Sequence, residues 1–359
     1  MRDKTFLIMA GGTGGHVYPA LATAQGLLAR REKVVWMGAR GGMEERVVSR
    51  TGIPFHGLSV RGVRGKSLFT RLAAPVRILK SIIEALSVIR ATRPDCVLGM
   101  GGFASGPGGI AARLSGKPLI IHEQNAVAGM TNRILARFAQ CVLEAFPGSF
   151  GPAVEARLVG NPLRTEIEAL YRQPRPEPAA GRPVRLLVLG GSLGAESLNT
   201  CLPEALARLD ERTRPEVWHQ SGEKNFDATR QRYAQSGVPA KVSPFIENMA
   251  EAYQWADFVV CRAGALTISE LCMVGLGAIL VPYPHAVDDH QTRNAQFMVD
   301  AGAAWLLPQS QLNPKALAEI LEPLLARPER IGRLGSAARR IARPEATAHV
   351  VNLCLQEAQ

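Results

Sequence analysis

Five stretches of this 359-residue chain, three of them with glycine, gather polar side chains in patterns that chemistry could use. The first, Gly11–His16, reads GGTGGH after a short apolar run. Glycine lets the backbone approach a ligand closely, and N–H groups at a helix start favour phosphate. The stretch is not a dinucleotide fingerprint. Counted from Gly12, the sixth position is Val17, and Gly38–Arg40 lacks the acid that would hold a ribose. A Walker A loop fails too: Gly65-Lys66-Ser67 has the tail, but Val60 stands where the first glycine belongs. The second stretch, Gly99–Gly109, reads GMGGFASGPGG. Glycine loses the most backbone entropy on folding, so packing alone seldom demands such a run and contact with a ligand explains it.

The third stretch, His122–Asn125 (HEQN), sets four polar groups where a strand should end, suited to hydrogen bonding a sugar or phosphate. It is not a zinc-protease motif, because Ala126 stands where the second histidine belongs. The fourth, Cys261–Glu270, runs from an apolar segment into a helical pattern. Its small residues open a helix start to an anion, and Glu270 could accept from ribose hydroxyls. The fifth, Pro282–Ala295, holds His285, Asp288, Asp289 and His290, but at no established metal-ligand spacing. No Asp-x-Asp pair occurs anywhere, so no metal or other cofactor is expected. Helix dipoles and arginine would have to carry diphosphate charge.

Both halves open alike. Thr5–Ala10 ends in the first glycine loop and Val184–Leu189 ends in Gly190-Gly191-Ser192-Leu193-Gly194, each followed by a helical pattern, Ala20–Arg30 and Ala195–Leu209. Further apolar runs at Lys33–Met37, Cys96–Met100, Leu119–His122, Phe258–Cys261 and Ala278–Pro282 alternate with helical segments. Alternation of this kind predicts parallel sheets covered on both faces. The expected fold is α/β, two doubly wound Rossmann-like domains, with ligands beyond the carboxyl ends of the strands and between the halves. Four prolines in Tyr171–Pro183 mark the best boundary by composition.

Hydrophobic residues at 47% and charged residues at 20% exclude a disordered chain. No uncharged apolar stretch approaches the ~20 residues of a membrane span, and the N-terminal run is too short for a signal-peptide core, so a cytoplasmic N-terminus is expected. Six cysteines without a C-x-x-C pair support neither a zinc ribbon nor a disulfide framework. The net charge of +11 is uneven. Residues 1–163 hold 21 Lys and Arg against 9 Asp and Glu, whereas the remainder is almost neutral. An anionic partner of the first half follows. Aromatics total only 6% with no interleaved basic-aromatic motif, so nucleic acid is not that partner.

In order along the chain, these motifs resemble the MurG family of peptidoglycan glycosyltransferases. The carriers are Ala10–Pro19, Gly99–Gly108, His122–Asn125, Gly160–Arg164, Gly190–Ser192, Trp218–Gly222, Cys261–Glu270 and Pro282–Ala295. The resemblance implies a GT-B fold. It implies an acceptor- and membrane-facing domain over 1–163, a donor-binding domain over 164–342, and a final helix, about 343–359, packed back on the first. The implied reaction moves N-acetylglucosamine from UDP-N-acetylglucosamine to the C4 hydroxyl of the muramoyl sugar of lipid I, an undecaprenyl-diphosphate-linked acceptor, with inversion. Another UDP-sugar enzyme of this fold, such as a 2-epimerase, is the alternative. Donor contacts carried over by motif fall on Thr13, Gly14, Gly15, Asn125, Arg164, Ser192, Ile246, Ala265, Leu266, Thr267, Glu270 and Gln291. Leu193 and His290 depart from residues common in the family, which weakens a polar contact at the first and leaves Gln291 as the better choice at the second.

Inversion needs a base within reach of the acceptor hydroxyl. His16 suits by its ordinary pKa and Glu123 is the other candidate. A helix beginning near Pro75 carries an apolar stripe of Val76, Leu79, Ile83 and Leu86. Such a stripe ordinarily faces a core. Beside the basic segment with Arg61, Arg64, Lys66 and Arg71, it also suits docking on an anionic membrane surface. Residues 61–80 are therefore expected to dock, placing the protein peripherally on the cytoplasmic face of the bacterial inner membrane.

Overall fold

The computed structural model describes residues 3–60, 74–175 and 181–359, and the basic segment with Arg61, Arg64, Lys66 and Arg71 lies outside them. The chain divides into two units, 1–164 with 345–359, and 165–344.

In the first unit the apolar runs become strands β1 (Thr5–Met9), β2 (Lys33–Ala39), β3 (Phe55–Leu58), β4 (Cys96–Gly99), β5 (Leu119–Glu123), β6 (Cys141–Glu144) and β7 (Arg157–Leu158). They form one parallel sheet in the order β3-β2-β1-β4-β5-β6-β7. The central strands are buried almost throughout, which is why they read as continuous apolar runs rather than alternating ones. Helices α1 (Gly14–Leu28), α2 (Met43–Val48), α3 (Ala74–Thr92), α4 (Ser105–Leu114) and α5 (Met130–Leu135) make the crossovers. Helix α1 begins six residues earlier than its sequence pattern predicts and contains Pro19. Burial of Val17, Ala20, Ala24 and Leu27 outweighs the poor helix propensity of its glycines.

The second unit repeats the plan. Strands β8 (Arg185–Leu189), β9 (Glu216–Gln220), β10 (Lys241–Ser243), β11 (Phe258–Cys261), β12 (Gly277–Leu280) and β13 (Ala304–Leu306) form a parallel sheet in the order β10-β9-β8-β11-β12-β13. Its helices are α6 (Thr165–Tyr171), α7 (Glu196–Ala207), α8 (Phe226–Gln235), α9 (Met249–Trp255), α10 (Ala265–Val274), α11 (His290–Asp300), α12 (Pro314–Leu325) and α13 (Pro328–Arg340). The proline-rich Tyr171–Pro183 stretch does not mark the crossing between units. The chain crosses at 164/165, so that stretch leads from α6 towards β8 inside the second unit.

The last helix, α14 (Ala346–Glu357), belongs to the first unit, where Val350, Val351 and Cys354 join the core beside Val17, Ala20 and Leu27. A Cβ on Gly26 would lie 2.8 Å from Val351 Cγ2, so a glycine there sets how closely α1 and α14 approach. Arg30 also hydrogen-bonds Asn352.

Helix α3 turns the first part of its apolar stripe to the surface rather than to the core. Ser81, Ala85 and Ile89, four apart, face inward, whereas Val76 is 72% exposed and Leu79 and Ile83 are each 59% exposed. Val76, Ile78, Leu79 and Ile83 in its first half are exposed.

Candidate active site

Register brings the first unit's motifs together. Met9 at the end of β1 pairs with Gly99 at the end of β4, and Gly99 pairs with Ile121 near the end of β5. The loops that follow are therefore neighbours. Gly102, at φ +88°, packs so closely that a Cβ there would fall 2.3 Å from Gly11 O. At this point the second glycine run is bare because the backbone of the first occupies the space a side chain would need. Ser105 Oγ ties them further, donating to Met9 O at 3.0 Å and Gly101 O at 2.7 Å.

His16 stands in the first turn of α1. Its Nδ1 lies 3.2 Å from Gly11 O and 3.3 Å from Thr13 Oγ1. A carbonyl oxygen can only accept, so Nδ1 carries the proton and Nε2 is the basic nitrogen of the neutral ring. Space for the ring comes from Gly101, at φ +86°, where a Cβ would lie 2.7 Å from His16 Cδ2 and 3.0 Å from Nε2. Thr13 occupies the N-cap position of α1 but makes no capping bond. The N–H groups of Gly14 and Gly15 thus lie ahead of the first intrahelical bond, as an anion site at a helix start requires.

Glu123 is buried and saturated. Oε1 accepts from Asn125 N at 3.0 Å and Asn125 Nδ2 at 3.2 Å, while Oε2 accepts from Gly129 N at 3.0 Å and Asn132 Nδ2 at 2.9 Å. Four donors favour a carboxylate that holds a loop. Its neighbour His122 is enclosed, with Nε2–H donating to Gly160 O at 2.8 Å and Nδ1 accepting from Gln124 Nε2 at 3.0 Å. Burial lowers its pKa to about 4, so it is neutral at physiological pH. Arg164, the last residue of the first unit, places its guanidinium 6.0 Å from the centre of the Tyr18 ring.

The second unit carries the remaining residues. Ser192 and Leu193 sit on the exposed tip of the loop after β8, with Leu193 83% exposed. That loop interlocks with the one after β9: a Cβ on Gly194, at φ +76°, would meet Ser221 O at 1.8 Å. Gln220 joins three segments, its Nε2 donating to Gly191 O at 3.0 Å and its Oε1 accepting from Ile246 N at 2.9 Å. Helix α10 follows Gly264, which makes no side-chain cap, and its first intrahelical bond is Ile268 N to Gly264 O at 2.9 Å. The N–H groups of Ala265, Leu266 and Thr267 precede it. By contrast, the ends of α9 and α12 are closed by the side chains of Asn248 and Asn313. Glu270 is buried one turn further on, with Tyr253 Oη donating to Oε2 at 2.8 Å. Gln291 accepts from Tyr283 N at 2.9 Å, holding the 282–286 turn to α11.

Several positioning residues have only a faint sequence signal. Buried Glu44 accepts from Ala39 N at 2.8 Å and Gly12 N at 3.1 Å, and its carboxylate fills the space beside Gly11 and Gly42. The glycines around it were its only trace in the sequence. Tyr253 and Asn132 lie outside the motifs, and only the fold brings them, and Gln220 of the Trp218–Gly222 motif, to their partners.

The glycosyltransferase family 28 N-terminal domain matches residues 6–144, and the family's C-terminal domain matches residues 185–349. The UDP-N-acetylglucosamine–N-acetylmuramyl-(pentapeptide) pyrophosphoryl-undecaprenol N-acetylglucosamine transferase of Marinobacter nauticus is 56% identical, over 99% of this chain and 98% of the relative. The enzyme of the same name from Hahella chejuensis is 54% identical over the same shares. The crystal structure of MurG from Acinetobacter baumannii superposes with a TM-score of 0.84 at 41% identity, covering 98% of this chain and 99% of that one. With both family domains matched in order and relatives this close over nearly their whole length, the chain belongs to the MurG family of glycosyltransferase family 28.

Proposed function

We propose that this protein transfers N-acetylglucosamine from UDP-N-acetylglucosamine to the C4 hydroxyl of the muramoyl sugar of lipid I, forming lipid II for peptidoglycan. The observation that carries the reading is 56% identity, over 99% of this chain, to a transferase named for that donor and acceptor. A 2-epimerase is not favoured, since the closely matching relatives are transferases. Incubation with labelled UDP-N-acetylglucosamine and a lipid I analogue should give labelled lipid II and UDP in equal amounts. Nucleotide turnover without labelled lipid would overturn the proposal.

In this reading His16 Nε2 takes the proton of the C4 hydroxyl as that oxygen bonds to C1 of the donor. The bond from C1 to the diphosphate oxygen breaks on the opposite face, and UDP leaves with the electron pair. Arg164 and the open N–H groups of Ala265, Leu266 and Thr267 stabilise that charge. Glu270 binds the ribose, its free rotation removed by Tyr253. Thr13, Gly14, Gly15, Asn125, Ser192, Ile246 and Gln291 complete the donor contacts. Glu123 positions Asn125 and the 125–129 turn, which its four hydrogen bonds support better than a role as base.

The first unit meets an anionic membrane. Exposed Val76, Ile78, Leu79 and Ile83 on α3, with Leu114, Met130 and Ile134 on α4 and α5, supply apolar surface among Arg77, Lys80, Arg113 and Arg133. No helix among the described residues is long and apolar enough to cross a membrane. Peripheral binding at the cytoplasmic face, where the acceptor's diphosphate and sugars are presented, fits this mixed surface.

A further inference from the structure

At the amino ends of the second unit's strands, away from the carboxyl-end loops just described, lies an open cavity of about 560 Å³. Three arginines line it: Arg172 and Arg175 after α6, and Arg339 near the end of α13. Asp257, just before β11, is the only acid among its described lining residues, and Ser336 and Gly332 on α13 form part of its wall.

The acid is already committed. Arg182 pairs with Asp257 through both carboxylate oxygens, at 2.6 and 2.9 Å, and Arg185 N donates to it at 2.9 Å. Two of the lining arginines have structural partners. Arg339 donates to the carbonyls of Leu170, Tyr171 and Gln173 at the end of α6, and Arg175 to those of Tyr253 and Ala256 at the end of α9. Closing helix ends accounts for those contacts but not for the charge. Each helix C-terminus offers roughly half a negative charge. Among the described residues, they and Asp257 leave Arg172, Arg175, Arg182 and Arg339 with a surplus of about two positive charges. Burial lowers the pKa of Arg175 to about 10, with Asp257 opposing the fall and Arg339 adding to it.

We propose that this cavity is a second anion site, distinct from the donor site, that takes a phosphate-class dianion. A phosphoryl group matches the surplus in charge, guanidinium forks match its oxygens, and the exposed Ser336 hydroxyl adds a donor. The site is built from the two segments through which the chain enters and leaves the second unit, 165–175 and 331–344. An occupant bridging Arg172 and Arg339 would fasten those segments to each other. The assignment does not depend on the glycosyl-transfer reading.

Calorimetry on the full chain tests it, using pyrophosphate, and separately inorganic phosphate, with the donor site saturated by UDP at constant ionic strength. Binding of one equivalent should persist under UDP. Phosphate matching pyrophosphate identifies a single phosphoryl group as the ligand, and a clear preference for pyrophosphate identifies a diphosphate. Ser336→Glu, at an exposed position, puts a like charge into the cavity and should weaken binding by tenfold or more, with melting temperature and UDP affinity unchanged. Arg172→Ser should weaken it in the same direction. Absence of binding by either probe under UDP, or affinity untouched by Ser336→Glu, would overturn the proposal.

Discussion

Gly101→Ala probes the contact between the two glycine loops where it bears on chemistry. Gly101 sits at φ +86°, so any side chain there strains the backbone by about 1–2 kcal/mol. The added methyl would lie 2.7 Å from His16 Cδ2 and 3.0 Å from Nε2, against an ordinary carbon contact of ~3.5–4.0 Å. The imidazole must retreat by about 1 Å, a displacement that typically costs ~100-fold in turnover. Gly116→Ala is the control. It also has positive φ, +63°, but nothing lies within 4 Å of its would-be Cβ. Both variants should melt a few degrees lower, about 2–4 °C per kcal/mol for a unit of this size. Only Gly101→Ala should lose kcat, and UDP affinity should hold in both. Steady-state turnover with a lipid I analogue, melting curves and UDP calorimetry measure all three. A Gly101→Ala enzyme within about threefold of Gly116→Ala would refute the idea that this glycine keeps the space for the base.

Glu270→Ala removes a charged acceptor and should raise the UDP dissociation constant by about 1.5–3 kcal/mol, read by calorimetry on a variant that still melts cooperatively. Stability should fall as pH drops from about 6.5, because burial lowers His122 to about 4 and His219 to about 3. The unfolded chain binds protons there that the fold refuses, so the stabilisation present above pH 6.5 is lost towards those values. Urea midpoints at pH 7 and 4.5 should therefore converge in His219→Gln relative to the unaltered protein. For the membrane, Val76, Leu79 and Ile83 changed together to Ser should release the protein from anionic vesicles in co-sedimentation at low salt. Changing Arg61, Arg64, Lys66 and Arg71 to Ser should do the same, with UDP affinity intact.

The strand-end loops were legible because closely packed, positive-φ backbone needs glycine, and glycine is visible one residue at a time. The central strands were legible because parallel strands buried on both faces are unbroken apolar runs, as at Cys96–Gly99 and Gly277–Leu280. Edge elements were not: β7 is two residues long and β10 opens on an exposed lysine, so neither has a pattern to read. Helix α3 left two readings open for a related reason. Periodicity gives the angle of a stripe around the axis but not what it faces, and here the inward side is the smaller one, Ser81, Ala85 and Ile89. In the site, residue types alone put His16 ahead of Glu123 as the base, and the hydrogen bonds support that order. Glu123 spends both oxygens on four donors, and His16 sets Nδ1 against Gly11 O.

The claim that His16 takes the acceptor proton is tested most directly by the pH dependence of kcat in His16→Ala and Glu123→Gln, side by side. His16→Ala should lose roughly 10²–10⁴-fold, and its residual rate should no longer fall through the imidazole range near pH 6.5. Glu123→Gln should keep that acid limb, at reduced rate and with weakened donor binding through Asn125. An acid limb that survives in His16→Ala and disappears in Glu123→Gln would contradict the assignment and make Glu123 the base.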